Sequence, residues 1–327
     1  MNNLKKIGLT ALAGSLVATS VAYAGALEVT GAAEMKMQNH SQTSVGKNIG
    51  MANNIYFKGS GETDGGLNVA LSFELDDGSN SGGTTASAGG VWDNHSVSVG
   101  NDTIGTLAVH GHGGSNAAAA LDTTAAGDLW DSTLGISSAV ADKDTPQAST
   151  SGNDIVVYSL PTMVDGLAAA VSYTNEGETH EASTAFGITY TGVEGLSVSY
   201  GQGESSGTIN VDADQTIMKA SYAIGSFTLA ASNNDLDHTT IGSDQEVKSY
   251  SVAYTVSEQL SVSYGIEDIS REGAADVKDI EVSGYKASYT TGGMTVAAQQ
   301  VKADNVDYTN GANNDNDMWK LSLSFAF

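Results

Sequence analysis

Carboxylate side chains are the most frequent ionisable groups in this chain of 327 residues. Asp and Glu number 38 against 13 Lys and Arg, which gives a formal charge of −25 at pH 7. Three of the carboxylates, Asp122, Asp128 and Asp131, lie in one long segment, residues 111–153. If that segment lined a water-filled passage, they would attract cations and repel anions. The alternative is an acidic segment that is exposed to solvent.

Three lysines are candidates for opposing charges. Lys36, Lys58 and Lys320 lie near the two ends of the chain, on segments in which polar and apolar residues alternate. They would form a sparse basic patch if the first and last strands paired in a closed sheet, and Glu34 would partly neutralise that patch. Alternatively, they are isolated lysines at different heights. The sequence leaves both interpretations open.

Catalytic and metal-binding patterns are weak. The chain has no Cys, so it can form no disulfide, thiolate metal site or thiol nucleophile. His110 and His112 lack a third ligand nearby, and no hydrolase, zinc-protease or phosphate-loop motif occurs. We therefore expect no enzyme activity, metal site or cofactor, beyond weak binding of divalent cations by acidic outer loops. The net negative charge argues against nucleic-acid binding.

The N-terminus has the pattern of a cleaved secretory signal peptide. Residues 1–24 contain a basic start, an apolar stretch and the small residues Ala22 and Ala24 around a cleavage site. The mature protein would then comprise residues 25–327. Its remaining apolar runs stay short of the ~20 residues that a membrane-spanning helix needs.

The mature sequence alternates between polar and apolar residues in sixteen segments, each bounded by Gly, Asn and Asp clusters. Short connections follow the even segments and long connections follow the odd ones. Apolar residues share one face, and Ser, Thr and Gly dominate the other. The pattern predicts an all-β fold, a transmembrane antiparallel β-barrel with short periplasmic turns, long outer loops and a polar interior.

The last ten residues, MWKLSLSFAF, place Trp319, Leu321, Leu323, Phe325 and Phe327 on one face of a strand. A soluble protein would rarely end on an apolar aromatic residue, because chain ends are usually exposed and frayed. Phe325 and Phe327 resemble the C-terminal signal by which bacterial outer-membrane barrels engage their assembly machinery. Outward Tyr and Phe residues elsewhere cluster at two heights, as in the aromatic girdles of such barrels.

Together these features resemble the general porins of the Gram-negative outer membrane. The resemblance implies a homotrimer of sixteen-stranded barrels, surrounded by outer-membrane lipid, through which small hydrophilic solutes diffuse passively. It also implies that the third loop, about residues 111–153, folds into the pore. The best-known members set an arginine-rich wall against an acidic third loop, whereas this chain has one Arg, Arg271. Alternatives are a substrate-specific channel, or a structural or adhesive barrel without transport.

Outward aromatic residues are missing from the first predicted strand, about residues 26–37, and from the fourth to sixth, near residues 95–100, 105–110 and 154–160. A surface that faces lipid favours interfacial Tyr and Trp, whereas a surface that faces protein does not need them. The gap therefore predicts the subunit interface, formed chiefly by Val97, Val99, Leu107 and Val109. The same pattern places Ile155 and Val157 of strand 6 on the outward face.

Overall fold

The computed structural model describes residues 26–41, 47–76, 93–129, 153–176, 181–206, 212–239, 244–272, 278–308 and 315–327. The predicted signal peptide and Asp131 lie outside these ranges.

The described residues form sixteen strands and two short 3₁₀ turns, Ala119–Leu121 and Val306–Tyr308. None of the described helices is long and apolar enough to cross a membrane. The strands are β1 (Ala26–His40), β2 (Lys47–Glu62), β3 (Asn68–Asp76), β4 (His95–Asn101), β5 (Gly105–His112), β6 (Ile155–Ser159), β7 (Leu167–Thr174), β8 (Ser183–Tyr190), β9 (Leu196–Ser206), β10 (Asp212–Ile224), β11 (Phe227–His238), β12 (Asp244–Thr255), β13 (Leu260–Glu272), β14 (Ile280–Thr291), β15 (Met294–Asp304) and β16 (Asn316–Ala326).

The strands close into one antiparallel barrel. Each strand pairs with its neighbours in sequence, and β1 pairs with β16, where Ala33 lies opposite Phe325. The last residue completes this seam: Gly31 N donates to Phe327 O at 2.9 Å, and Phe327 N donates to Gly31 O at 3.0 Å. The sixteen-stranded antiparallel barrel predicted from the sequence is confirmed.

Side chains alternate between the outer surface and the lumen as the apolar pattern predicts. On β16, Trp319, Leu321 and Phe325 are exposed on the outer surface, whereas Ser322 between them is buried inside. Aromatic rings on the outer surface pack across strands, as Tyr264 and Tyr285 do with their centroids 4.6 Å apart. An apolar outer surface of this kind is what a barrel surrounded by hydrocarbon requires.

Several strands extend further outward than the sequence indicated. The sequence pattern predicts long connections at residues 38–53 and 233–246, but β1, β2, β11 and β12 occupy much of these ranges. Toward these strand ends the outward face becomes polar, as the Lys248–Glu246 ion pair at 2.6 Å on β12 shows. The alternation of polar and apolar residues fades there although the strand pairing continues.

The face predicted for β6 is wrong. Val109 and Leu107 on the outer face of β5 lie opposite Val156 and Tyr158, whereas Ile155 is 0% exposed. Val157 therefore shares the inward face with Ile155. A strand of five residues that is apolar on both faces carries no alternation from which its orientation could be derived. Because Tyr158 faces outward, the aromatic-poor surface ends at β5.

The interior is not polar throughout, which corrects a second expectation. An apolar core lies inside the barrel, against the inner faces of β12 to β16. A smaller cluster, Ala118, Ala185 and Ile217 with Leu121 packed against it, lies against β8 and β10. Both clusters include residues of the connection between β5 and β6, which we call the third loop.

Candidate pore constriction

Residues 113–129 of the third loop, the constriction segment, follow the inner wall of the barrel. Backbone N–H groups of the segment donate to inward serine hydroxyls: Ala117 to Ser172 on β7 at 2.9 Å, and Ala126 to Ser249 on β12 at 2.8 Å. Between them, Ala125 donates to a serine of β11, Ser232. Since these serines take up backbone groups that have no strand partner, the segment can lie flat against the wall.

Inward glycines provide the space that the segment occupies. A Cβ added at Gly187 would lie 2.3 Å from Ala117 O, and one at Gly265 would lie 2.5 Å from the Ala126 Cβ. Any larger residue at either position would push the segment off the wall. The small inward residues of β8 to β14 therefore form a shallow track for the loop.

Two local hydrogen-bonding motifs shape the segment. Asn116 Oδ1 accepts from Ala118 N at 3.0 Å and from Ala119 N at 2.7 Å, which caps the 3₁₀ turn. Further along, Thr124 N donates to Asp128 Oδ1 and Asp128 N donates to Thr124 Oγ1, both at 2.8 Å. The carboxylate of Asp128 is thus tied into the loop, so substituting it would alter the backbone as well as the charge.

Asp122 lies between these two motifs, next to the wall formed by β10 and β11. Its carbonyl accepts from the side-chain amide of Asn234, and Lys219 Nζ donates to the neighbouring Thr123 O at 2.6 Å. Burial, followed by the negative charge of Asp128, raises the pKa of the Asp122 carboxyl to about 6, and Lys219 opposes the shift. A carboxylate with this environment is stabilised by a nearby cation.

A second carboxylate lies beside the segment. Thr124 Oγ1 hydrogen-bonds to Glu267, an inward and almost fully buried residue of β13. Asn116, Asn234 and Glu267 are site residues that the sequence pattern does not mark. Asn234 lies in a range for which the pattern predicts a loop, and no local pattern marks the other two.

The structure brings together two of the three candidate lysines. Lys320 Nζ lies 3.0 Å from Glu34 Oε1 in an ion pair, and Lys36 pairs in register with Ser322, two residues from Lys320. Lys58 lies opposite Glu28, eight residues along β1 from Lys36. At about 3.4 Å per residue this separation is roughly 27 Å.

Metal ligands do not converge in the part of the chain that the structure describes, where no three His, Asp or Glu side chains are arranged to hold an ion. His110 and His112 are possible metal ligands on the sequence pattern alone. In the structure, Nδ1 of His112 instead hydrogen-bonds to the backbone carbonyl oxygen of Asp93.

Comparisons with known proteins identify the family. A protein-family model described as Gram-negative porin matches residues 8–327. The chain belongs to the Gram-negative porins. This family and its fold comprise channels rather than enzymes. A search of curated proteins found no match.

Solved porin structures share the fold at low sequence identity. The anion-selective porin from Comamonas acidovorans has 14% identity and a TM-score of 0.67, with 93% of this chain and 100% of that chain covered. Salmonella typhi OmpF, solved in complex with daunomycin, has 13% identity and a TM-score of 0.70, with 92% and 97% covered. A variant of the Rh. blastica porin has 17% identity and a TM-score of 0.66, with 92% and 100% covered.

An engineered disulfide tests whether the constriction segment lies on the wall. A Cβ at Gly201 would lie 3.5 Å from the Ala118 Cβ, within the range of about 3.5–4.5 Å that a disulfide requires. Because the chain lacks Cys, Ala118→Cys with Gly201→Cys should lose both free thiols on mild oxidation, as measured by thiol titration. Ala118→Cys with Ser324→Cys, across the lumen on β16, is the control and should keep them. Free thiols in both variants would contradict the placement of the segment.

Proposed function

We propose that this porin is a cation-selective channel of the outer membrane, with its narrow section between the constriction segment and the opposite wall of β16 and β1 to β5. The placement of Asp122 carries the proposal. Its carboxyl lies on a segment that is hydrogen-bonded across the inner wall, and burial raises its pKa. Ions diffusing past the segment would meet this charge before water could screen it fully.

The opposite wall supplies little compensating positive charge. Lys320 is paired with Glu34, Lys58 is far from Lys36, and the one Arg, Arg271, lies near the outer end of β13. With 38 acidic against 13 basic residues in the whole chain, the field in the passage favours cations. Asp128 adds to that field, and Asp131 remains a sequence-based prediction.

A general diffusion channel is favoured over the alternatives from the sequence. A substrate-specific channel would need a continuous row of aromatic or basic side chains, and the described inward residues near the segment are mainly Ser, Gly and Ala. Stepwise ohmic conductance of purified protein in a planar bilayer would support the channel, whereas silence would support a structural or adhesive barrel.

We also propose a homotrimer embedded in outer-membrane lipid. Val97 lies opposite Val109 and Val99 opposite Leu107, so the four predicted interface residues form one aliphatic patch on β4 and β5. Their exposed fractions are 36–47% in the single chain. Closed cyclic symmetry would cover such a patch without leaving a free edge.

Two further expectations concern biogenesis and the outer loops. Phe325 and Phe327 are exposed on the outer surface at the seam, where assembly machinery could reach them, and we propose them as its recognition signal. Weak binding of divalent cations by the acidic outer loops remains a sequence-based prediction.

Removal of the Asp122 charge should reduce cation selectivity. Asp122→Asn should lower the K⁺/Cl⁻ permeability ratio by up to roughly 16-fold. One charge about 5 Å from an ion changes its energy by about 0.8 kcal/mol at the dielectric constant of water, which is roughly four-fold, and it acts in opposite directions on K⁺ and Cl⁻. Reversal potentials in a salt gradient at low ionic strength measure the ratio. Asp102→Asn, on the exposed turn between β4 and β5, is the matched control and should leave it unchanged. Wild-type preference for Cl⁻ would refute the proposal.

The same carboxyl predicts a pH dependence. An acid whose pKa is about 6 is mostly ionised at pH 7 and mostly neutral at pH 5, so cation preference should fall as the pH is lowered through 6. Asp128 on the loop and Lys219 on the wall are the charged groups that act on the Asp122 carboxyl, and they stay in place in Asp122→Asn. That variant should therefore lose most of the pH dependence of the reversal potential between pH 7 and pH 5, and an unchanged curve would assign the titration to another group.

Charged substitutions in the aliphatic patch should separate the subunits. Val97→Arg with Val109→Arg places two like charges on a directly paired position, which is costly at a buried interface. Unheated SDS gels should lose the band near three times the monomer mass and retain the folded monomer. Leu229→Arg with Val252→Arg, an outward pair on β11 and β12, adds the same charges elsewhere and should keep the trimer band. Equal loss in both variants would reject the interface.

A further inference from the structure

The start of the connection between β15 and β16, which we call the eighth loop, turns into the mouth of the barrel. Within it, Val306 is 1% exposed and Tyr308 is 5% exposed. Both side chains belong to the apolar core inside the barrel. They pack there with the inward residues Val247, Ile269, Ile280, Val282, Val301, Ala303 and Met318.

The third loop contributes to the same core. Leu129, at the end of the constriction segment, is 5% exposed and belongs to the core, and Ala126 packs against it. A Cβ at Gly284 on β14 would lie 2.8 Å from the Leu129 Cδ2, so the wall is shaped to admit this side chain. Two loops that are distant in sequence thus share one apolar core, within a lumen that was predicted to be polar.

Hydrogen bonds hold the start of the eighth loop against β12 and the residues that precede β14. Lys278 N donates to Tyr308 O at 3.0 Å, and Gln245 Nε2 donates to the Tyr308 hydroxyl at 3.3 Å. Asn305 Nδ2 donates to Asp279 O at 3.0 Å. Tyr308 has a φ of 54°, which is unfavourable for a bulky residue. This conformation must therefore be compensated by the packing and hydrogen bonds around it.

We infer that the eighth loop positions the pore constriction: Val306 and Tyr308 complete the apolar site that holds Leu129, and so keep the constriction segment against the wall. The inference rests on the proposed function, because it treats residues 113–129 as the boundary of the diffusion path. The wall serines are buried beneath the segment. If the segment lifted, lumen water could replace their hydrogen bonds, so these bonds alone hold it only weakly. The burial of Leu129 excludes water from one end of the segment and ties it to a second loop.

Single-channel recording of Leu129→Ala tests the effect on the passage. A segment released at this end should swing into the path, and brief closures should become more frequent by about ten-fold or more, because Leu→Ala in a packed core exceeds the free energy of a ten-fold change. Leu236→Ala is the matched control, since Leu236 is buried inside the barrel in a separate cluster with Ala213. The control should close as rarely as wild type. Equal closure rates in wild type and Leu129→Ala would overturn the inference.

Thiol accessibility tests the coupling independently of conductance. Val306→Cys should react slowly with a water-soluble maleimide, far more slowly than Thr239→Cys at an exposed position, and adding Leu129→Ala should accelerate its labelling about ten-fold or more. Adding Leu236→Ala should not. Rapid labelling of Val306→Cys alone, or labelling that is insensitive to Leu129→Ala, would overturn the inference. A silent protein with the expected labelling would instead reject the proposed channel and leave the contact between the loops in place.

Discussion

A strand that crosses lipid must find hydrogen-bond partners for its peptide groups within the protein, because hydrocarbon offers none. In this barrel the constraint is met by the pairing of β1 with β16, which removes the two free edges that a sheet would otherwise have. That closure separates an inner face from an outer face, so the alternation of side chains along each strand gives the barrel a lumen wall and an apolar outer surface. Phe327 contributes directly, since its backbone groups pair with Gly31.

The third loop meets the same constraint under different conditions. Inside the lumen its peptide groups can bond to water, yet Ala117, Ala125 and Ala126 donate to wall serines instead. The loop backbone can reach these serine hydroxyls only where no large inward side chain lies in the way, and the inward glycines leave that space. Serine and glycine on the inner face therefore have a positional role beyond that of lining a polar channel. They determine where residues 113–129 lie against the wall.

The architecture could be predicted from the sequence because it follows from one boundary between lipid and water. The terminal strand with Phe327, the sixteen segments and the alternating loop lengths all reflect that boundary. The orientation of β6 was mispredicted because Ile155, Val156 and Val157 are apolar on both faces. The inner core is not predictable from the pattern because Val282 and Val301 are apolar where a pore wall would be polar, and because Leu129, which packs in the same core, is far away in sequence.

The candidate site was predictable only in part, because its contacts join residues that are distant in sequence. Asp122 and Asp128 were identified by their charge in a long loop, but the contact of Asp122 with Asn234 depends on how the loop folds. Likewise, the alternation of side chains places Lys36, Lys58 and Lys320 on the inward face, but it does not give their heights along the barrel axis. Those heights depend on the register between paired strands, which separates Lys58 from the other two and cannot be derived from any single strand.

The seam between β1 and β16 also sets an order of events in time. Its partners are separated by nearly the whole chain, so β1 can be synthesised and paired with β2 long before Phe327 exists. Until then, its outer edge presents unpaired peptide groups, which other extended chains can use as a template. Closing so long a loop is entropically costly and comes late in folding. Until β16 pairs with β1, the outer edge of β1 is a place where a wrong strand could extend the sheet.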